Sequence, residues 1–145
     1  MILLDTNVLI YASDINSSFH IASKSIRDKG IRGEVLLCIT PQVLLEFFAV
    51  VTSQKRTANP IESFQALDEI EKYLKADKIT TIYPNENTFL KLIELERKYC
   101  VKGQEIFDLQ LIATMLSNNV KTIYTFNTDH FSKIDEIESL TPPIG

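Results

Sequence analysis

The chain has 145 residues, of which 45% are hydrophobic and 23% are charged, with 15 Lys and Arg against 19 Asp and Glu. This composition excludes global disorder, because disordered chains combine low hydrophobicity with high net charge. The length predicts a single domain over residues 1–145. The net charge of −4 argues against binding of nucleic acid through a broad basic face, but it is compatible with an enzyme whose acidic residues gather around a metal ion.

The sequence carries no recognisable membrane or export signal. Its longest apolar runs are far shorter than the roughly 18 residues that a membrane span needs, and Asp5 interrupts the apolar start before a secretory signal could form. We therefore expect a cytoplasmic protein that does not bind membranes. Cys38 and Cys100 lack the paired spacing of a zinc site, and we expect both to be buried as small apolar side chains.

Apolar runs that end in polar turns alternate along the chain with segments of helical periodicity. The predicted strands cover residues 2–4, 35–39, 79–83 and 120–125. The predicted helices cover residues 8–12, 41–53, 63–75, 86–99 and 107–116, with a short turn of helix at 129–133. This alternation predicts an α/β fold with a mostly parallel central sheet and helices on both faces.

Three acidic residues lie at strand ends or helix starts in this scheme. Asp5 follows the first strand, Asp108 lies in the first turn of the helix at 107–116, and Asp129 comes after the strand at 120–125. Ligands of open parallel sheets bind beyond the carboxyl ends of the strands, so these carboxylates could share one edge of the sheet. Each also has a purely structural explanation, because Asp caps helix N-termini well and suits a first helical turn.

Glu46 lies in the helix at 41–53, on the face opposite the expected core stripe that includes Leu44 and Phe47, and such a face is usually solvated. Carboxylates without His or Cys suit Mg²⁺ or Mn²⁺, and such ions activate water and stabilise the charge on a phosphodiester. Metal-assisted phosphodiester hydrolysis is therefore the chemistry these acids favour. Three cations, Lys55, Arg56 and Lys102, are weak candidates for contacts with a nucleic-acid backbone.

Other chemistries find less support in the sequence. It contains neither of the glycine-rich phosphate-binding motifs G-x-G-x-x-G and G-x-x-x-x-G-K-[ST], nor the G-x-S-x-G elbow of serine hydrolases. His20 and His130 have no partner at metal-ligand spacing. A phosphatase with an aspartyl nucleophile would need a second Asp two residues after Asp5, where Asn7 stands.

Three segments and one acid, taken in order, resemble the PIN-domain ribonucleases, especially VapC-type toxins. They are LDTNVLI at 4–10, Glu46, IFDLQLIA at 106–113 and YTFNTDHF at 124–131. The resemblance spans essentially the whole chain and implies an endoribonuclease. It also implies that Asp5, Glu46 and Asp108 surround Mg²⁺ or Mn²⁺, while Thr6 and Asn7 shape the turn.

The fourth acid is where the chain departs from the family pattern. Many relatives carry Asp or Asn two residues after the Thr that ends the strand. In this chain that Thr is Thr125, and the residue two positions later is Asn127. Asp129 is the nearest carboxylate. We expect Asp129 to take part as the fourth acid, with Thr125 and Asn127 in supporting positions.

The resemblance further implies an RNA substrate, a homodimer and a cognate antitoxin protein. The helix at 63–75 carries Phe64, Leu67 and Leu74, which could receive a partner helix, although core packing is the commoner use of such a stripe. The alternative function is a catalytically silent PIN-like binding module that keeps the fold and holds no metal.

Overall fold

A five-stranded parallel sheet forms the centre of the molecule in the computed structural model, which describes residues 1–144. In sheet order the strands are β3 (Ile79–Thr81), β2 (Leu37–Ile39), β1 (Ile2–Leu4), β4 (Thr122–Tyr124) and β5 (Glu138–Leu140). The α-helices found in this part of the chain are α1 (Thr6–Ser13), α2 (His20–Ile31), α3 (Pro41–Val51), α4 (Ser63–Lys75), α5 (Thr88–Tyr99), α6 (Ile106–Ser117) and α7 (Thr128–Phe131).

The helices form two layers around the sheet. Helix α1 packs against α2 and α3, α3 packs against α4, and α5 packs against α6. Right-handed crossovers between parallel strands place α1 to α4 on one face and α5 and α6 on the other. At the middle of the sheet Leu3 of β1 lies opposite Cys38 of β2 and Ile123 of β4, and all three side chains are fully buried. The predicted α/β class, with helices on both faces of the sheet, is confirmed.

The predicted elements with strong periodicity or a clear start signal match the structure closely. Helix α4 has the predicted bounds, and α3 begins as predicted with Pro41 in its first turn. The hydroxyl of Thr40 accepts a hydrogen bond from the backbone N–H of Val43 at 3.1 Å. This cap satisfies one of the unpaired donors at the helix start.

Two elements were not predicted, and both have a weak sequence signal. The buried side of α2 includes Ala22, Ser23 and Gly30, so it lacks the large apolar stripe by which a helix is recognised. Gly30 allows this close packing, because a Cβ atom there would lie 2.3 Å from Cδ1 of Leu37. Strand β5 is a three-residue edge strand with no fully buried side chain, so it has little apolar alternation to detect.

The prediction for the two cysteines is right for one of them. Cys38 is buried in β2, and burial raises the pKa of its thiol to about 12. Cys100 is exposed at the end of α5, where it adopts the left-handed region with a φ of 52°. None of the helices within residues 1–144 is long and apolar enough to cross a membrane.

The strand order creates a crevice at the centre of the sheet. The chain runs from β1 to β2 on one side, and later enters β4 on the other side of β1. Such a reversal of strand order leaves room for a ligand beyond the carboxyl ends of the two strands. Asp5 directly follows β1, and Thr125 directly follows β4.

Candidate active site

An open cleft of about 580 Å³ lies at these two strand ends. Four carboxylates line it, contributed by the end of β1, by α3, and by the start of α6 with the turn before it. They are Asp5, Glu46, Glu105 and Asp108. The cleft therefore brings together three of the four acids predicted from the sequence and adds Glu105, which was not predicted.

Asp5 is the most firmly held of these acids. It is 8% exposed and caps α1, since its Oδ1 accepts a hydrogen bond of 2.8 Å from the backbone N–H of Thr6. Its Oδ2 accepts a hydrogen bond of 2.7 Å from the Thr125 hydroxyl and a longer one of 3.4 Å from Nδ2 of Asn7. The structural explanation of Asp5 as a helix cap is thus correct, and it does not compete with a place in the acid cluster.

The Thr125 hydroxyl connects the loops that follow β1 and β4. Besides donating to Asp5, it accepts hydrogen bonds from Nδ2 of Asn7 at 3.2 Å and from the backbone N–H of Asn127 at 2.9 Å. The side-chain oxygen of Asn7 in turn accepts a hydrogen bond of 3.2 Å from the backbone N–H of Phe126. This network fixes the orientation of the Asp5 carboxylate, as outer hydrogen bonds do for metal ligands.

Glu46 occupies the face of α3 that the sequence predicted to be solvated, and that face forms a wall of the cleft. Its Oε2 accepts a hydrogen bond of 2.7 Å from the Thr6 hydroxyl, and its Oε1 accepts one of 3.0 Å from Nε2 of Gln42. The same Gln42 nitrogen also donates to the backbone oxygen of Phe107 at 2.9 Å. Glu46 is therefore tied to the starts of both α1 and α6.

Asp108 lies in the first turn of α6 and is 45% exposed at its side chain. Nδ1 of His130 lies 3.6 Å from its Oδ2. His130 belongs to α7 and also lines the cleft. Sequence spacing missed this neighbour because the two residues are far apart in the chain and meet only through the packing of α6 near α7.

The acids of the cleft affect each other's ionisation. Burial raises the pKa of Asp5, hydrogen bonds from Thr125 and Thr6 oppose the rise, and the charges of Glu46 and Asp108 add to it. Burial also raises the pKa of Asp108; His130 opposes that rise, and Glu46 and Glu105 add to it. The carboxylates thus repel one another, and a cation among them would relieve that repulsion.

The four carboxylates of the cleft fit a hard cation such as Mg²⁺ or Mn²⁺, because such ions prefer oxygen ligands. In the described part of the chain, no three His, Cys, Asp or Glu side chains converge into a metal-holding group by themselves. Mg²⁺ does not require such a group, because it binds through one or two carboxylates and keeps several waters. Asp5 and Asp108 are the residues that would hold it.

The expected fourth acid, Asp129, is not among the residues that line the cleft. It lines a neighbouring cavity of about 300 Å³, which shares Glu105, Asp108 and His130 with the cleft. Asn127 lines the cleft itself. Asn127 also takes the N-cap position of α7, so the explanation of Asp129 as a helix cap is wrong.

The placement of these two residues favours Asn127 as the fourth polar group of the site. We expect Asn127→Ala to raise the metal concentration for half-maximal activity by about tenfold, because it removes an amide that lines the cleft and can hydrogen-bond a metal-bound water. Asp129→Asn should leave that concentration unchanged. A metal titration of both variants checks this, and a tenfold rise for Asp129→Asn alone would return the fourth position to Asp129.

The structure places only one of the three cations that were candidates for contacts with a nucleic-acid backbone in the cleft. Arg56 lines the cleft, whereas Lys55 and Lys102 are exposed and lie outside its lining. The cleft thus offers one arginine against four carboxylates. A bound phosphate would therefore be neutralised mainly by a cation held by the acids.

Comparison with known proteins defines the family of the chain. The PIN domain family model matches residues 2–137. The chain belongs to the PIN domain family. It is 25% identical over 119 residues to the ribonuclease VapC43 of Mycobacterium tuberculosis, covering 82% of this chain and 81% of that protein. It is 23% identical to the ribonuclease VapC48 of the same organism, covering 97% of both chains.

Solved structures of other proteins share the fold. The crystal structure of VapC20 from Mycobacterium tuberculosis, a toxin that cleaves the sarcin-ricin loop, superposes with a TM-score of 0.67 at 13% identity. It covers 91% of this chain and 94% of VapC20. The VapBC2 complex of Rickettsia felis, bound to a DNA fragment from its promoter, gives a TM-score of 0.65 at 20% identity, covering 97% of this chain and 98% of that chain.

Proposed function

We propose that this protein is a metal-dependent endoribonuclease and the toxin of a toxin-antitoxin pair. The observation that carries the proposal is the convergence of Asp5, Glu46 and Asp108 on one open cleft at the strand reversal of the sheet. The relatives VapC43 and VapC48 are ribonucleases by name. The cleft is open to solvent rather than enclosed, as a site for a polymeric substrate needs to be.

Four of the cleft residues have roles that follow from their surroundings. A bound Mg²⁺ or Mn²⁺ supplies an activated water and stabilises the charge that develops on the phosphodiester. Asp5 and Asp108 would hold that ion, and the hydrogen bonds from Thr6 and Thr125 fix the orientation of the Asp5 carboxylate. Glu46, anchored by the hydrogen bond from the Thr6 hydroxyl, would accept a hydrogen bond from the water and so orient it. Arg56 would contact a phosphate of the RNA.

Incubation of the purified protein with mixed cellular RNAs tests the proposal. We expect internal cleavage with millimolar Mg²⁺ or Mn²⁺, and none when the ion is removed with EDTA. Cleavage that is equal in EDTA would exclude the metal. No cleavage with either ion would favour the catalytically silent binding module, provided that the protein is folded.

The toxin assignment requires an inhibitory protein partner, and α4 offers a surface for one. Phe64, Leu67 and Leu74 are 63%, 55% and 49% exposed, so the expectation that they pack in the core is wrong. An amphipathic partner helix would bury such a stripe. We further propose that the protein acts in the cytoplasm, where its RNA substrate is found, and that it forms a homodimer.

Co-expression with the neighbouring open reading frame tests the antitoxin. We expect the two proteins to elute together in size exclusion and the complex to cleave RNA much more slowly than the free protein. The double variant Phe64→Ser, Leu67→Ser should weaken the complex while leaving the nuclease intact. Independent elution of the two wild-type proteins would contradict the toxin assignment, although not the nuclease activity.

A further inference from the structure

The cavity of about 300 Å³ beside the cleft, called the side cavity below, has no role in the metal site. It shares Glu105, Asp108 and His130 with the cleft, so the two spaces meet along one wall. That wall is formed by the start of α6, the turn before it, and α7. Because Asp108 is expected to hold the metal, a group bound in the side cavity would lie next to a phosphodiester bound in the cleft.

The side cavity has an apolar floor and a polar rim. Leu109, Ile112 and Ile134 line it and are almost fully buried, whereas Asp129 and Lys133 line it and are exposed. Pockets with apolar walls and a few polar groups are typical of small-molecule sites, which start at about 300 Å³. A nucleobase has apolar faces and a polar edge, so it matches both the floor and the rim.

The polar groups of the rim differ in how far they are already paired. Nζ of Lys133 lies 3.6 Å from Oε2 of Glu105, and Nδ1 of His130 lies 3.6 Å from Oδ2 of Asp108. Asp129 accepts a hydrogen bond from Ser132, but only through its backbone oxygen. Within residues 1–144 its carboxylate has no hydrogen-bond or ion-pair partner. Both carboxylate oxygens of Asp129 are therefore available to a ligand that donates hydrogen bonds.

A metal ion fits the side cavity less well than a base does. Mg²⁺ keeps several of its waters when it binds, and the apolar floor offers those waters no hydrogen-bond partner. The ammonium group of Lys133 on the rim would also repel a cation. The rim therefore favours a neutral ligand that has hydrogen-bond donors for Asp129 and an acceptor for Lys133.

Guanine is the base whose Watson–Crick edge meets this requirement. Its N1–H and N2–H₂ groups are adjacent donors, so the two oxygens of one carboxylate can accept from both. Its O6, on the same edge, accepts hydrogen bonds from Lys side chains. Adenine and cytosine place a ring acceptor beside their amino group, and uracil has one N–H between two carbonyls. Each of these bases would turn an acceptor towards the carboxylate and leave it unsatisfied.

We propose that the side cavity binds a guanine base of the RNA next to the phosphodiester that is cleaved, and that Asp129 selects this base. The inference rests on the proposed ribonuclease function and adds to it a base preference at one position beside the cut. It also gives a role to a carboxylate that lies near the metal site without lining the cleft.

Cleavage of a random-sequence RNA pool in Mn²⁺, followed by sequencing of the product ends, tests the base preference. We expect the wild type to enrich guanine at one fixed position beside the cut. Asp129→Asn should lose most of that enrichment, because the amide offers one acceptor where the carboxylate offers two. Asp135→Asn is the matched control, since Asp135 is exposed and lies outside both linings. It should keep the wild-type preference.

Inosine, which lacks the N2 amino group of guanine, tests the contact with Asp129 directly. In a defined oligonucleotide, inosine at the preferred position should lower kcat/KM of the wild type by about tenfold. Asp129→Asn should cleave the guanine and inosine oligonucleotides with nearly equal efficiency, because both changes remove the same contact. Its Mn²⁺-induced thermal shift and its half-maximal Mn²⁺ concentration should match the wild type, which checks that the fold and the metal site are intact.

The possible failures of this inference are separable from failure of the nuclease function. A wild type that cleaves RNA without a guanine preference beside the cut would overturn the inference and leave the function standing. A preference that Asp129→Asn retains would assign base selection to another residue. An unchanged preference with a raised Mn²⁺ requirement would move Asp129 to the metal site. If the wild type cleaves no RNA with either ion, the inference falls with the proposed function itself.

Discussion

Asp5→Asn should abolish metal-dependent RNA cleavage while leaving the fold intact. The amide has the same size as the carboxylate but carries no charge, so it neither holds Mg²⁺ tightly nor balances its charge. Outer-shell substitutions at metal sites cost roughly 10- to 100-fold. Loss of a ligand should therefore exceed about 100-fold in kcat/KM, measured on a defined RNA oligonucleotide.

The same substitution is well suited as a test because its structural cost is small. Asn caps a helix about as well as Asp, so the bond from the Thr6 backbone to the side chain of residue 5 can persist. Circular dichroism should match the wild type, and the melting temperature without added metal should not fall below that of the wild type, because the amide removes one charge from the buried acid cluster. If Asp5→Asn cleaves RNA at the wild-type rate with an unaltered fold, the acid cluster is not the active site.

Mn²⁺ should raise the melting temperature of the wild type substantially. The pKa values of Asp5 and Asp108 in the folded protein are raised above the value of 3.8 expected for a free Asp, so folding favours their protonated forms. Without a cation, this contribution to stability is fully present below pH 3.8 and is lost as the pH rises through the folded pKa values. At neutral pH the charged acids therefore destabilise the fold, and a bound cation removes that cost.

The size of the effect follows from mass action. At a Mn²⁺ concentration one hundred times its Kd, binding to the folded state alone adds about 2.7 kcal/mol to the free energy of unfolding. For a chain of this size that corresponds to a rise of roughly 5 to 10 °C. Thermal melts at pH 7 with Mn²⁺ and with EDTA measure it.

Asp5→Asn provides the matched control for the thermal shift, since it removes one ligand without removing a cap. We expect its melting temperature to rise far less with Mn²⁺ than that of the wild type. Equal shifts in both proteins would locate the ion elsewhere, and no shift in either would support the silent binding module.

The sequence predicted the elements whose signals are local. Helix α4 has a long amphipathic pattern, and α3 begins with a Thr-Pro pair, so both were found near their true bounds. Helix α2 and strand β5 were missed because their stability comes from contacts with distant residues. Gly30 against Leu37 is the clearest case, since a glycine inside a helix lowers the helical signal unless its packing partner is known.

The residues of the site could also be predicted only where their signal in the sequence is local. Asp5 and Asp108 could be placed at one sheet edge from strand ends and helix starts, whereas Glu46 was chosen by resemblance because its helical pattern shows only that it faces away from the core. The hydrogen bond from Thr125 to Asp5 spans 120 residues of sequence, and the contact of His130 with Asp108 depends on helix packing. Such pairs leave no periodic signal in a single sequence.

The central claim is that the cleft acids hold the catalytic divalent ion. Crystals soaked in Mn²⁺ test it directly, because anomalous scattering locates the ion without reference to activity. The account predicts a peak in the cleft within bonding distance of carboxylate oxygens of Asp5 and Asp108, and no such peak in Asp5→Asn crystals treated in the same way. A Mn²⁺ peak elsewhere on the protein, or a cleft that stays free of Mn²⁺ at saturating concentration, would contradict it.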